Sequence, residues 1–310
     1  MADLVPPSLD HLRTFLCVVE EGSFNAAARK LGKAISVVSY AIAQLEAQLD
    51  VRLFDREGSR RPQLTEVGRA LLSEAHAIAD DVDALLAKVR SLRQGLEAEL
   101  ALAVDVMVPG HVLARLLRDF QARFPTVPLR LHVEALGAVA ALVLEGRATL
   151  AIAGPDIMDI AEIERETVGS VELVAVAAQN HPLAMMKRIA PGETRKHLQL
   201  VLTDRSPLTQ GRDFSVFSTR SWRLADLGAK HALLKEGIGW GSMPRHVVAA
   251  DLASGALVEL HLPERPAIDY ALVALWRKDG RPGPAAVWVL DELRERLAQC
   301  PKAGGVKARP

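Results

Sequence analysis

Behind Ser8, the apolar residues Leu9, Leu12, Phe15, Leu16 and Val19 recur three and four positions apart, and Gly22 follows them. This spacing draws one apolar stripe along a helix, with a serine to accept the first free N–H groups and a glycine to end it. Ser23 opens a second, shorter pattern through Phe24, Ala27, Ala28 and Leu31 to Gly32. A third follows with hardly any linker. Val38, Ile42, Leu45 and Leu49 lie on its stripe, and Lys33, Ser36, Val37, Ser39, Tyr40 and Ala43 lie off it. Two short helices about a glycine turn predict a helix-turn-helix whose second member offers its first residues to a DNA major groove; the pattern alone equally fits an ordinary helical hairpin.

The next stretch, "RLFDREGSRRPQLTEVG", has short extended pieces at Leu53-Phe54 and before Leu64, with a polar Gly58-Ser59 turn between them. Arg52, Arg56, Arg60 and Arg61 surround that turn, so a small hairpin with guanidinium groups at its tip is expected. No acidic side chain occurs between Asn25 and Leu45. A helix facing phosphates gains from that absence, because carboxylates there would repel the duplex.

From Thr65, a candidate N-cap, neither proline nor glycine interrupts the chain between Gly68 and Gly95. Leu71, Ala75, Ile78, Val82, Leu85, Val89 and Leu92 recur at intervals of 4, 3, 4, 3, 4 and 3, a heptad seam. Such a stripe needs a cover: a second copy of the same helix, or the chain's own later domain.

The remaining pattern alternates. "ELALAVDVMV", "PLRLHVEA" and "ATLAIAG" read as strands around the helices "GHVLARLLRDFQARFP" and "AVAALVLEGR". This βαβαβ order predicts a parallel sheet with right-handed crossovers. Near Val168 the strand-like "VELVAVAA" and "LQLVLTD" begin a second unit, with a helix from Ala225 to Glu236; "YALVALWRK" and a last helix, Ala285 to Gln299, return the chain to the first. One subdomain with another inserted leaves two crossovers and a cleft. The expected domains are 1–66, a linker helix 67–95, one lobe from 96–166 plus 268–300, a second lobe 167–267, and a tail 301–310.

Composition bounds the function. The 310 residues carry 38 Lys+Arg and 38 Asp+Glu, so overall charge gives no argument for nucleic acid and the charge must be read locally. Cys17 and Cys300 are the two cysteines, far apart in sequence, which fits structural thiols in a reducing cytoplasm. The start "MADLVPPSLDHL" lacks a basic flank followed by an apolar run. The longest uncharged stretch, Leu173 to Met186, falls short of a membrane span of about 20 residues. A cytoplasmic protein without membrane attachment is expected. "GIGWGSMP" has the wrong glycine spacing for a dinucleotide fingerprint and follows a helix. No histidines stand at metal-ligand spacing and no nucleophile set has a local motif, so neither enzyme, metal nor cofactor is expected.

"GSFNAAARKLG", "VSYAIAQLEAQLDVRLFDR" and "LTEVGRALL", in this order and spacing, closely resemble the winged helix-turn-helix of LysR-type transcriptional regulators. The resemblance is strong from Ser8 to Leu72 and architectural to Cys300. It implies an α/β protein with an N-terminal winged helix-turn-helix, a long linker helix that pairs antiparallel with its copy, and a two-lobed, periplasmic-binding-protein-like effector domain. The implied partners are double-stranded DNA, a small-molecule effector, a second or further copies in a homodimer or homotetramer, and RNA polymerase. The family usually opens its recognition helix with a small hydroxyl residue and glutamine, where this chain has Ala34 and Ile35. Base readout then falls to Lys33, Ser36 and Tyr40, with Ile35 and Val37 able to touch thymine methyls; Ser23, Ser39, Arg56, Arg60 and Arg61 complete the expected DNA-binding set.

By analogy with that fold, an effector sits beyond the carboxyl ends of the strands. Val106, Met107, Val108 and Pro109 then form one wall, and Thr203, Asp204, Arg205, Ser206, Trp222 and Arg223 the other. Core packing equally explains Met107 and Trp222, and Arg205 and Arg223 equally read as surface residues. Family members that bind carboxylates commonly use a Ser or Thr at the first corner, which here reads "VMVPG". Without a hydroxyl, and with Pro109 lacking an N–H, that corner is expected to favour a mainly apolar or aromatic ligand. A solute-binding protein with a helical appendage is the rival expectation.

Overall fold

A computed structural model describes residues 5–55, 62–155, 160–204, 206–209, 214–263 and 268–299. Arg56, Arg60, Arg61, Arg205, Cys300 and the expected tail 301–310 lie outside the described residues. The chain divides into two compact units, Met1–Ser91 and Leu92–Pro310.

In the first unit, α1 (Leu9–Glu21) starts at Ser8, whose hydroxyl accepts the His11 N–H at 3.2 Å, and ends at Gly22 with φ 63°. The arrangement repeats in α2 (Phe24–Leu31): Ser23 accepts from Ala26 N at 3.1 Å and Gly32, also at φ 63°, closes the helix. α3 (Ile35–Leu49) buries Val38, Ala41, Ile42 and Leu45 in one core with Phe15, Val18, Ala27 and Ala28. β1 (Phe54–Asp55) and β2 (Gln63–Leu64) pair antiparallel, with Phe54 opposite Leu64. The Phe54 ring anchors this hairpin, meeting Phe15 and Phe24 edge-on at centroid distances of 5.6 Å. α4 (Glu66–Arg93) is capped by Thr65, whose hydroxyl accepts from Gly68 N at 2.9 Å. A Cβ on Gly68 would lie 2.3 Å from Leu53 O, so the helix passes this close to the hairpin only because the residue is glycine.

The second unit begins with β3 (Leu100–Asp105), α5 (Gly110–Arg123), β4 (Leu129–Glu134), α6 (Gly137–Leu144) and β5 (Leu150–Ala153), with β3 parallel to both β4 and β5. β6 (Ile163–Ala178) follows, then α7 (Pro182–Met185), β7 (Gln199–Leu202), β8 (Ser221–Leu224), α8 (Leu227–Lys235), β9 (Trp240–Pro244), α9 (Arg245–Ser254), β10 (Leu257–Glu259), β11 (Ile268–Arg277) and α10 (Pro284–Ala298). The strands form one sheet in the order β4-β3-β5-β11-β6-β9-β7-β8, and β10 pairs with β6.

The sheet is parallel within each lobe, β3–β5 in one and β7–β9 in the other, but its two crossovers run antiparallel. Residues 166 and 167, the expected boundary between lobes, lie inside the 16-residue β6, because the crossover is continuous strand and not a linker. β6 and β11 pair from Leu173↔Ile268 to Ile163↔Arg277, with one bulge near Leu272.

In the run "GIGWG", Gly237 takes a φ of 79° just past the end of α8, and the other two glycines lie close against neighbouring backbone. Gly239 has φ 77°, and a Cβ there would lie 2.5 Å from Leu198 O; one on Gly241 would lie 2.6 Å from Leu200 O. Gly239→Ala therefore meets both an unfavourable backbone conformation and a backbone clash. It is expected to lower stability by about 1–3 kcal/mol in denaturant titration, an unchanged midpoint being the contrary result.

Candidate functional site

Once Val38, Ala41, Ile42 and Leu45 face inward, α3 must turn its other residues outward. Ile35 is 49%, Val37 48% and Tyr40 65% exposed, and Ser36 and Ser39 are exposed beside them. Ala34 is the N-cap and supplies no side-chain hydrogen bond, so the first N–H groups of the helix remain available to an external acceptor such as phosphate. Ser23 spends its oxygen as acceptor at the start of α2, leaving its hydroxyl proton to donate. The base of the hairpin is tied to α3 by Glu46, whose Oε1 accepts from Leu53 N at 2.7 Å, and to α4 by the Thr65 hydroxyl, which donates to Arg52 O at 2.6 Å.

The acid-free sequence does not give an acid-free surface. Lys33 donates to Asp10 at 2.8 and 2.9 Å, and Lys30 pairs with Glu20 and Glu21. Both lysines are thus charge-paired across helices, which sequence spacing does not disclose. Such exposed pairs are weak, about 0–1 kcal/mol, so a phosphate can compete for Lys33.

The heptad seam of α4 is divided. Ala75 is 3% exposed inside the first unit's core, and Leu71 packs against that core with Leu72. These two expected interface residues are thus committed to their own domain, because the first turns of α4, through Ala79, pack on the helix-turn-helix. Ile78, Leu85, Val89 and Leu92 are exposed, joined by Leu86, and Val82 is half-buried.

In the second unit a cavity of about 180 Å³ lies between the lobes. Met107 and Leu136 line it from the first lobe, Leu200, Leu202 and Phe214 from the second, and Tyr270 from β11. Lys230, only 3% exposed, also lines it and donates to Ser242 O at 2.7 Å. The expected effector walls are not brought together. Val106 and Val108 pack in the main core and Pro109 is buried as the α5 N-cap. Thr203, Asp204 and Ser206 line a second, polar hollow of about 600 Å³, with Glu134, Glu145 and Asp226. Trp222 and Arg223 line neither: β8 is the last strand at its end of the sheet, and Trp222 remains 51% exposed there.

Among the described residues no group of three His, Cys, Asp or Glu is placed to hold a metal, and no helix is long and apolar enough to cross a membrane.

Residues 9–69 match the model of the bacterial regulatory helix-turn-helix proteins of the lysR family, and residues 93–298 match the LysR substrate binding domain. The chain belongs to the LysR family of transcriptional regulators. It is 30% identical over 295 residues to the HTH-type transcriptional regulator YhaJ of Escherichia coli O157:H7, covering 92% of this chain and 95% of that one. It is 27% identical over 301 residues to the regulator AceR of Acinetobacter baumannii, covering 94% and 97%. Among solved structures, a C206 mutant of Corynebacterium glutamicum OxyR shares the fold with a TM-score of 0.58 at 18% identity, covering 96% of each chain. The LysR-type regulator CrgA of Neisseria meningitidis does so at 0.50 and 22%, covering 93% and 98%. Residues 9–69 therefore form a DNA-binding domain and 93–298 a substrate-binding domain, and the solute-binding alternative fails on the first of these matches.

Sequence reasoning passed over Asp105, although a charge ending the otherwise apolar "LALAVD" strand was a signal. This LysR-family substrate-binding domain buries its carboxylate to 1% exposure. It accepts from Met107 N at 2.8 Å and from the Tyr270 hydroxyl at 3.2 Å, and the backbones of Leu136 and Gly154 also donate to it. Desolvation outweighs these donors and pushes its pKa up to about 6. The folded state thus holds this proton more tightly than the unfolded chain does. Asp105's contribution is full below about pH 4 and is lost as pH rises to about 6, a change of about 3 kcal/mol. Wild type compared with Asp105→Asn across pH 4 to 7.5 should show this loss in wild type alone; parallel stability profiles would contradict it.

Proposed function

We propose that this LysR-type regulator reads DNA through Ile35, Ser36, Val37, Ser39 and Tyr40 of α3 and holds the phosphates with Ser23, Lys33, Arg56, Arg60 and Arg61. A second copy covers Ile78, Val82, Leu85, Val89 and Leu92 of α4, in a homodimer or homotetramer that acts in the cytoplasm on RNA polymerase. The effector is compact and mainly apolar or aromatic, and it occupies the cavity between the lobes. The observation that carries the effector reading is the apolar part of the cavity's lining, Met107, Leu136, Leu200, Leu202 and Phe214, set beside Gln199, Ser215, Lys230, Ser242, Asp269 and Tyr270 in about 180 Å³. That space suits a single ring better than a drug-sized molecule.

Arg→Ala at 56, 60 or 61 is expected to weaken operator and random DNA alike and to lower the salt slope by about one unit each, whereas Ser36→Ala or Tyr40→Ala alters sequence preference more than affinity. Lys33→Ala should cost more than one charge, since it leaves the Asp10 carboxylate facing phosphate. Anisotropy titrations over a salt series measure both quantities, and unchanged slopes for all four cations would remove the phosphate assignment.

Thermal-shift screening of the full chain tests the effector. Small neutral aromatic compounds at about 100 times Kd should add about 2.7 kcal/mol and raise Tm by several degrees, with amino acids and short carboxylates inert. Stabilisation by the carboxylates alone would defeat the reading.

A further inference from the structure

The turn from β4 into α6 is held from two sides. Asp105 accepts from the backbone of Leu136 on one side. On the other, Asp204 of the second lobe places Oδ2 2.8 Å from Ala138 N, the second residue of α6, while the Thr209 hydroxyl donates to its Oδ1. The same Ala138 N–H lies 3.1 Å from Ala135 O, so the carboxylate is the nearer acceptor. Between the two grips Leu136 has φ 50° and ψ −128°, a conformation that costs a non-glycine residue of order 1–3 kcal/mol and persists only where its surroundings enforce it. Gly137 allows the close approach, since a Cβ on it would lie 2.7 Å from Thr209 Cγ2. Leu208 packs beside them against the cluster that contains Val139 and Val143 of α6.

We infer that Asp204 is an internal carboxylate filling the anion seat at the α6 N-terminus, so that Asp204, Leu208 and Thr209 strap the lobes together without a ligand and deny that seat to acidic effectors. A helix N-terminus presents unpaired N–H groups and the positive end of the helix dipole, which is where a free carboxylate would bind. Here the occupant is covalently part of the opposite lobe. The bond that would recognise an acidic ligand is spent on lobe closure. Leu136, within the gripped turn, also lines the cavity between the lobes, so filling that cavity acts directly on the strapped turn. The inference rests on the lobes being the effector-binding unit, as proposed above.

Amide hydrogen exchange on the full chain tests it. In Asp204→Ala, peptides covering residues 134–146 should exchange about ten-fold faster or more than in wild type, a charge-assisted bond having been lost, with residues 110–123 of α5 unchanged. Sodium acetate, against sodium chloride at equal ionic strength, should restore protection in Asp204→Ala and raise its Tm, and should do neither in wild type. Should Asp204→Ala fold poorly, Asp204→Asn and Thr209→Val keep the shape and are expected to accelerate the same peptides several-fold. Unchanged exchange in these variants overturns the strap. Faster exchange with no rescue by acetate overturns the anion seat. Either failure is independent of whether neutral compounds stabilise wild type, which judges the effector reading separately.

Discussion

The second unit depends on the pairing of β6 with β11. These are the two crossover strands, and they hydrogen-bond to one another from Leu173↔Ile268 to Ile163↔Arg277. β11 borders β5 of the first lobe and β6 borders β9 of the second, so this one ladder stands at the centre of the sheet and carries both halves. A pair of loops in that position would let the lobes drift. A paired, buried ladder restricts them to twisting and bending about its axis, since sliding by one residue would turn Val171, Leu272 and Ala274 out of the core. The bulge near Leu272 is where the ladder already departs from regular register, and a Cβ on Gly169, which pairs with Leu272, would lie 2.9 Å from Leu297 Cδ1 of α10, so that this side chain would have to shift.

The first unit solves a different problem with similar means. Its first three helices are short, and α2 has only 8 residues, too few to be stable alone. Serine caps and left-handed glycines define their ends, and the Phe54 ring lets the hairpin contribute to the core of the helices. Glu46 and Thr65 then fix the hairpin's two ends to α3 and α4. The consequence is a rigid platform on which the exposed start of α3 holds its orientation. Presenting Ile35, Val37 and Tyr40 to water is tolerable because the platform, and not that surface, supplies the folding energy.

What the sequence disclosed follows the range of each signal. Caps, turns and stripes act over three or four residues, so Ser8, Ser23, Thr65, Gly22 and Gly32 could be read directly, and their helices stand where the spacing predicted them. Pairings between distant segments left no such mark. Asp10 reaches Lys33, Asp204 reaches α6, and Tyr270 reaches Asp105 across 165 positions. The expected effector walls are parted for the same reason. Strand ends told which residues stand near the cleft, but strand twist and the edge position of β8 decide which of them face it. Likewise the spacing along α4 did not tell that Ala75 serves the first unit's core and Ile78 does not.

A ligand changes a two-state protein only through unequal affinity for its states. In the proposed site that inequality has a physical source. The cavity is walled by both lobes and by β11 at once, so any movement of one lobe relative to the other alters how many walls a small apolar ligand touches. Leu136 is the wall with the most at stake, because its left-handed backbone is held by the Asp105 carboxylate of its own lobe, next to an amide bound by Asp204 of the other. Losing either grip removes what enforces that conformation, and a relaxed Leu136 would present a different cavity wall. Cavity shape and lobe closure are therefore one variable, and a compact ligand that needs Leu136 where it stands selects the strapped arrangement.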